Sequence, residues 1–344
     1  MDRDMTAARE PLRIGLLGAA RIAPPAIIEP ARATGHRLVA VAARDPERAA
    51  RFADQHGIER VVADYDTLIA DPEVDVIYNA LHNGAHAAPN IRALRAGKHV
   101  LSEKPSAVDA SEAREVAEVA ASVDALFMEG FHYLHHPAVQ RAIELAASGA
   151  IGELTAVEST LTTPAPPAGD LRWDFGLAGG CMMDLGCYTA HVQLQLSERL
   201  FGAPPTVEAA TATARPDGVD ADVIDASMRV ELRFPNGASG VAHSDMWAEG
   251  YVAPLVIRGT RGEVRVPDYV KPGQDDRVIV VDADGERTEY HGTLSSYTHQ
   301  LMVFADAVRL GTPLPIDAVD AVAIADVIDA AYLAAGLPLR PRSA

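Results

Sequence analysis

Five short apolar runs, four of them followed by a helix-like stretch, fill the first third of the chain, and this rhythm constrains the fold most. Leu12–Leu17 stops at Gly18. Arg37–Ala43, Val74–Leu81 and Lys98–Ser102 follow, and Ala125–Met128 closes the series. Between them Ala23–Ala33, Pro46–Gln55, Ala85–Ala96 and Ala110–Ala121 carry helical spacing. Strands alternating with helices predict a parallel, doubly wound α/β sheet, the Rossmann arrangement.

From Gly130 the rhythm changes. A helix over Pro137–Ser148 ends at Gly149, and longer strands then follow without helices between them. Leu154–Thr162 is one; Ala226–Phe234 and Ala238–Trp247 pair as a hairpin across Pro235-Asn236-Gly237, where Asn-Gly suits a left-handed turn. Leu255–Arg258, Glu263–Val266 and Arg277–Val281 continue the series, and helices over Ser296–Leu310 and Ala318–Ala334 end it. This pattern predicts a C-terminal α+β domain with an open, largely antiparallel sheet. With 344 residues the chain exceeds one typical core. The expected division is 1–129 for a dinucleotide-binding domain and 130–344 for a substrate-binding and oligomerisation domain.

Charge narrows the partners. A net charge of -18 disfavours nucleic acid and anionic membrane surfaces, which attract basic patches. No apolar run approaches a membrane span, Met1–Glu10 has no apolar leader segment, and two cysteines make no disulfide framework. A cytoplasmic protein is expected.

Gly18-x-Ala20-x-x-Ala23 is a G-x-G-x-x-G/A dinucleotide fingerprint with Ala at its second position. Such a site needs a tight turn at 18, close backbone approach to pyrophosphate at 20 and helix–sheet packing at 23. Gly18, Ala20, Arg21, Ile22 and Ala23 are therefore candidate cofactor residues, with a helix N-terminus behind them offering free N–H groups. The blander alternative is a Gly/Ala-rich turn after a buried strand. The second strand ends Ala42-Ala43-Arg44-Asp45. Arg44 provides a cation for a 2′-phosphate, which favours NADP, with NAD possible if Asp45 takes the ribose instead.

After the fourth run stands Glu103-Lys104-Pro105, where a strand's carboxyl end meets the ligand crevice. Further on, Gly179-Gly180-Cys-Met-Met-Asp184-Leu-Gly-Cys187-Tyr188 opens a helix, with Asp184 and Tyr188 four apart on one face. An ordinary Tyr has a pKa near 10 and shuttles protons poorly at neutral pH. A nearby Lys104 cation would lower it, so Lys104, Asp184 and Tyr188 form a candidate catalytic set. Read singly, Lys104 is a surface lysine, Asp184 a helix cap and Tyr188 a core aromatic. His132 and His136, like Cys187 and His191, are four apart, but paired ligands without a third make no metal site, and none is expected.

On Val39–Asp45, Glu103-Lys104-Pro105 and Gly179–Tyr188, the chain resembles the glucose–fructose oxidoreductase/inositol dehydrogenase (Gfo/Idh/MocA) family over roughly Leu12 to Pro338. It is most like the dimeric dihydrodiol dehydrogenase and NADP-linked D-xylose dehydrogenase branch. The resemblance implies hydride transfer between nicotinamide and a carbon bearing a hydroxyl or carbonyl, on a sugar, cyclic polyol or dihydrodiol. It maps the family's lysine, aspartate and acid–base tyrosine onto Lys104, Asp184 and Tyr188, and implies a homodimer or homotetramer assembled through the C-terminal sheet. His86 matches the family, and Glu103, Lys104 and His86 are taken as cofactor residues with His82, which reaches the nicotinamide or substrate or else packs in the turn. His132, Tyr133, Trp173 and His191 are taken as residues near a small hydroxyl or carbonyl substrate, His191 alternatively being a satisfied, partly buried histidine. Two positions depart from the family: His82 stands where Pro is usual, and Leu134 where Arg is usual. Reduction of a C=C or C=N bond and a non-catalytic dinucleotide sensor are the alternative functions.

Overall fold

The computed structural model describes residues 10–215 and 223–342; the N-terminal segment weighed above as a leader lies, except for Glu10, outside them. A parallel sheet comprises β1 (Arg13–Leu17), β2 (Arg37–Ala42), β3 (Val76–Asn79), β4 (His99–Ser102) and β5 (Phe127–Glu129), in the order β2-β1-β3-β4-β5. Its strands are almost wholly buried, as expected of a sheet covered by helices on both faces. The helices are α1 (Glu29–Thr34), α2 (Pro46–His56), α3 (Tyr65–Ala70), α4 (Ala87–Arg95) and α5 (Ala110–Ala121).

The first crossover differs from its expectation. A π-helical turn over Pro24–Ile28 precedes α1, and Pro24 and Pro25 begin it. Prolines carry no N–H, so the helix end itself offers the anion little there. The amides of Ala19 through Ile22, which make no backbone hydrogen bond among the described residues, are the donors left. Asp45 accepts from the amides of Glu47 and Arg48 and so caps α2.

Beyond α6 (Pro137–Ala147) lies an eight-stranded sheet ordered β13-β12-β11-β10-β6-β9-β8-β7. Its strands are β6 (Leu154–Thr162), β7 (Thr206–Ala214), β8 (Asp225–Arg233), β9 (Ser239–Asp245), β10 (Leu255–Gly259), β11 (Gly262–Val266), β12 (Arg277–Asp282) and β13 (Gly285–Tyr290). All neighbours pair antiparallel except β6 with β9. One face packs on α6 and α7 (Cys187–Phe201). Along β8 the period is two: Met228, Val230 and Leu232 are buried, and Arg229, Glu231 and Arg233 are exposed. In the β8–β9 hairpin Gly237 takes the left-handed conformation and Asn236 does not; the Asn236 side chain instead binds the Leu154 carbonyl. Finally α8 (Ser296–Leu310) lies against α1, and α9 (Ala318–Ala334) packs on both α5 and β7, joining the two sheets' layers.

Candidate active site

A cavity of about 790 Å³ opens where the parallel strands end. Gly18 follows β1, Arg44 follows β2, His82 follows β3 and Lys104 follows β4, and all four line it. This is the carboxyl-end crevice at which open α/β sheets hold ligands. Gly18 has φ of +93°, and a Cβ there would come within 3.2 Å of Leu81 and 3.4 Å of the Ala80 carbonyl. Only glycine combines that conformation with so close a neighbour. The turn is further fixed by Gly18 N–H to Ala42 O at 2.8 Å and by Arg48 Nη2 to Ala19 O at 2.6 Å. Ala20, Arg21 and Ile22 line the cavity, whereas Ala23 is fully buried beneath the turn. Arg44 and Tyr65 belong to the lining, and so do Lys104, Asp184, Tyr188 and Tyr297. With a Gly18 turn that favours glycine, turn amides free to donate, and Arg21 and Arg44 in its lining, the cavity fits an anionic dinucleotide.

Lys104 is almost enclosed. Its Nζ donates to the Asp184 carbonyl at 2.6 Å, lies 3.4 Å from Asp184 Oδ1, and sits 4.8 Å from the centre of the Tyr188 ring. Burial by itself lowers the Lys104 pKa, but Cys187, Asp184 and Glu103 together leave it raised. Asp184 is held from two sides, because Arg172 Nε donates to its Oδ2 at 2.5 Å. Burial pushes the Asp184 carboxyl up, yet Lys104 and Arg172 outweigh it and hold the pKa low, so Asp184 stays ionised. Asp184 and Tyr188 were expected on one α-helical face. In fact Asp184 lies in a π-helical turn, Met182–Gly186, that precedes α7, so the four-residue spacing is not that of a regular α-helix. Such wide turns often mark functional sites.

Tyr188 corrects the sequence argument. The Lys104 ammonium lies over its ring, and the Tyr188 pKa is pushed well above 10, first by burial and then by Tyr297 and Glu103. At neutral pH Tyr188 is therefore a protonated donor. Tyr297, which no sequence motif flagged, shares the cavity lining with it. Glu103 accepts from the Tyr78 hydroxyl at 2.6 Å, and burial raises its pKa. His86 lies between Pro105 O (2.7 Å) and Leu81 O (2.9 Å), and burial lowers its pKa to about 4. A neutral ring donates to one of them only, so His86 braces the Lys104–Pro105 turn from the cavity wall. His82 also lines the cavity, its pKa lowered by burial and then by Arg44.

Four residues expected near the substrate are not in the cavity lining. Tyr133 is fully buried and its hydroxyl meets His191 Nδ1 at 2.7 Å; His191 stacks on Phe131 with ring centres 3.7 Å apart. His132 bonds Ser296 Oγ at 2.8 Å and stacks on Tyr297, so it supports that wall from behind. Trp173 donates to Pro166 O and packs edge-on to Trp247. Leu134 belongs to a separate small pocket with His135, Gln140 and Arg199. The guanidinium beside the catalytic candidates comes instead from Arg172, on the segment before α7. Arg172 and its partner Asp170 escaped the sequence analysis; the one available signal was a lone Arg-Trp in a proline-rich loop. Among the described residues no three His, Cys, Asp or Glu side chains converge as metal ligands would.

Residues 12–131 match the profile of an oxidoreductase family with an NAD-binding Rossmann fold, and residues 139–265 match the GFO/IDH/MocA C-terminal domain. The chain is 33% identical to D-xylose 1-dehydrogenase (NADP(+)) 2 of Haloferax volcanii, over 93% of this chain and 96% of that one. It is also 33% identical to trans-1,2-dihydrobenzene-1,2-diol dehydrogenase of Bos taurus, over 68% and 67%. Among solved structures it resembles a 3-ketoreductase from Actinomadura kijaniata in complex with NADP and TDP-benzene, with a TM-score of 0.84, 28% identity, and coverage of 94% of this chain and 98% of the other. By both domain matches and by these relatives, the chain belongs to the Gfo/Idh/MocA family of NAD(P)-dependent oxidoreductases.

Proposed function

We propose that the protein transfers a hydride between NADP and the CH–OH/C=O carbon of a sugar, cyclic polyol or dihydrodiol. One observation carries this: Lys104, from the end of β4, and Asp184 and Tyr188, some 80 residues later, line the same cavity as the Gly18 turn. The activities named for the xylose and dihydrodiol relatives support the substrate class. The amides of Ala20, Arg21 and Ile22 would hold the pyrophosphate of a bound dinucleotide, and Arg44 would hold its 2′-phosphate. Since Asp45 is occupied as the α2 cap, it is poorly placed to serve the ribose. A nicotinamide bound there would supply or accept the hydride. Tyr188 donates a proton to the carbonyl oxygen as it gains charge, and recovers it through Tyr297 or solvent. Lys104 hydrogen-bonds the same oxygen, and Asp184 fixes Lys104 in place. Burial raises the Tyr188 pKa further, so at neutral pH the hydroxyl is a proton donor.

The division at 1–129 and 130–344 is supported by the extents of the two domain matches. The sheet face opposite α6 and α7 presents Arg258–Glu158 and Arg265–Glu263 pairs among half-buried Val241, Val256 and Ile279, and we take it as the surface of a homodimer or homotetramer. No helix among the described residues is long and apolar enough to cross a membrane, in keeping with a cytoplasmic enzyme. The test is calorimetric titration with NADPH and NADH, then a panel of pentoses, hexoses, dihydrodiols and their ketones. Tighter binding of NADPH and turnover on the panel are expected. Binding of neither nucleotide removes the oxidoreductase assignment.

A further inference from the structure

Between β6 and α7 the chain leaves the sheet at Thr163 and returns at Gly180, crossing the cavity on the way. Both ends are fastened. Thr163 N–H donates to Asp245 O at 2.8 Å, and Ala248 N–H to Thr163 O at 3.1 Å. At the other end Arg340 Nε donates to Gly179 O at 2.6 Å, while Arg340 and Asp225 form a buried ion pair. Gly180, with φ of +124°, is pressed against that pair, where a Cβ would collide with both side chains. The middle is held differently. From 164 to 177 only Trp173 is buried, so few apolar contacts oppose its lifting. It reaches the opposite wall through Arg21 Nη2 to Asp170 Oδ2 at 2.9 Å and Asn83 Nδ2 to Ala178 O at 3.1 Å, and Leu177 lines the cavity with His82.

Arg172 links this span to the site below. It donates from Nε to Asp184 Oδ2 at 2.5 Å and from Nη1 to Asp170 Oδ1 at 3.0 Å. Asp184 turns its other oxygen and its carbonyl to Lys104. Charges of alternating sign therefore run Lys104–Asp184–Arg172–Asp170–Arg21, from the cavity floor to the dinucleotide-binding turn. Asp170, Leu171, Arg172 and Leu177 share the cavity lining with Gly18 to Ile22, so the span covers the crevice a dinucleotide must enter.

We propose that Arg172 is a positioning residue for Lys104 and Asp184, delivered by a strap, residues 163–180, that lifts to admit the dinucleotide and is seated by the Arg21–Asp170 latch. With the strap seated, Arg172 occupies one Asp184 oxygen and leaves the other, with the carbonyl, to hold Lys104 beside Tyr188. With it lifted, Asp184 loses a cation and Lys104 meets solvent. The catalytic set is then complete only over a closed crevice. The consequence for turnover rests on the function proposed above; the movement of the strap does not.

The chain has only three lysines, Lys98, Lys104 and Lys271, which makes the movement measurable. Trace acetylation of the full-length protein with acetic anhydride, read by mass spectrometry, reports Lys104 exposure against the other two. Asp170→Asn keeps an N-cap for the turn at Leu171–Trp173 but removes the charge. Arg21→Gln should raise relative Lys104 labelling by about threefold, the effect of losing one pair whose arginine is exposed, and Asp170→Asn, which also loses its pair with Arg172, by at least as much. Arg172→Gln should raise it by about tenfold or more, as expected for a charge-assisted pair that is partly buried. NADPH at saturation should lower Lys104 labelling in the wild type. On whichever panel substrate is turned over, Arg172→Gln should lower kcat by about tenfold while the NADPH KM stays within about threefold, and Arg172→Lys should restore part of the loss. Unchanged Lys104 labelling in Arg172→Gln and Asp170→Asn overturns the strap, and so does a rise shared equally by all three lysines, which reports general loosening. Failure to bind either nucleotide would remove the proposed function and leave the labelling result standing.

Discussion

At the residue scale the site is a set of charges that fix one another. Lys104 has no solvent shell to replace Asp184, and Asp184 stays ionised because two cations face it. Lys104→Met should therefore abolish turnover while NADPH affinity, measured by calorimetry, falls by less than about tenfold, since the Gly18 turn and Arg44 lie elsewhere in the cavity. Turnover at the wild-type rate would sink the role assigned to Lys104. Arg44 is exposed, with no salt bridge to Asp45. Arg44→Gln should weaken NADPH binding by about 10- to 100-fold, the worth of a charge-assisted contact, and leave NADH binding nearly unchanged. Equal losses for both nucleotides would show that Arg44 does not read the 2′-phosphate. Lys104, Asp184 and Tyr188 were legible because each sits in a short local pattern at a strand or helix end. Arg172 and Tyr297 were not, because the chain brings them in from a loop and from the start of α8 with no motif around them. Tyr133 and His191 misled for the opposite reason: polar residues near a motif suggest a site, but these two satisfy each other inside the core.

At the element scale the buried strands and amphipathic helices were readable, and the misses have two causes. β13 is Gly285–Tyr290, an edge strand whose residues are mostly charged and exposed; β7 is Thr206–Ala214, rich in Ala and Thr and also at an edge. Edge strands trade apolar alternation for protection against further pairing, so the period that marks a strand is absent from them. The π-helical turns at Pro24–Ile28 and Met182–Gly186 were missed because a 3.6-residue period was assumed throughout. Behind the second turn Asp225 accepts from Met182 N–H and pairs with Arg340, and both side chains are fully buried. Burial raises the Asp225 pKa to about 6 even with Arg340 beside it. Arg340→Ala would leave that carboxylate alone and should cost about 3–5 kcal/mol. A thermal melt that moves by less than a few degrees would show that the carboxylate finds another partner or takes up a proton cheaply.

At the scale of the whole molecule the response to acid follows from what the two layers bury. His36, His86, His135 and His136 have pKa values lowered to about 4, and His191 to about 3, in each case first by burial. In the unfolded chain each titrates near 6.5. A group whose pKa falls on folding binds its proton first in the unfolded state, so its stabilisation is complete above about 6.5 and drains as pH falls toward the folded value. Buried carboxyls oppose this. Glu129 is raised to about 7, and Asp225 and Asp329 to about 6, all by burial first, and folding gains as these protonate. His82, His99, His132 and His299 shift in the same downward direction, and Glu103, Glu112, Asp268 and Asp320 are raised as well, so the lowered histidines still outnumber the raised carboxyls. Relief of the -18 net charge on acidification works against them, but it acts between dispersed surface charges that salt already screens. The melting temperature should therefore hold steady above about pH 7 and fall as pH drops from about 6.5 toward 4. Melts at fixed ionic strength across that range decide it. A melting temperature that is flat or rising on acidification would mean that the carboxyls and the net charge dominate, and that the histidines behind the cavity are already protonated in the folded protein.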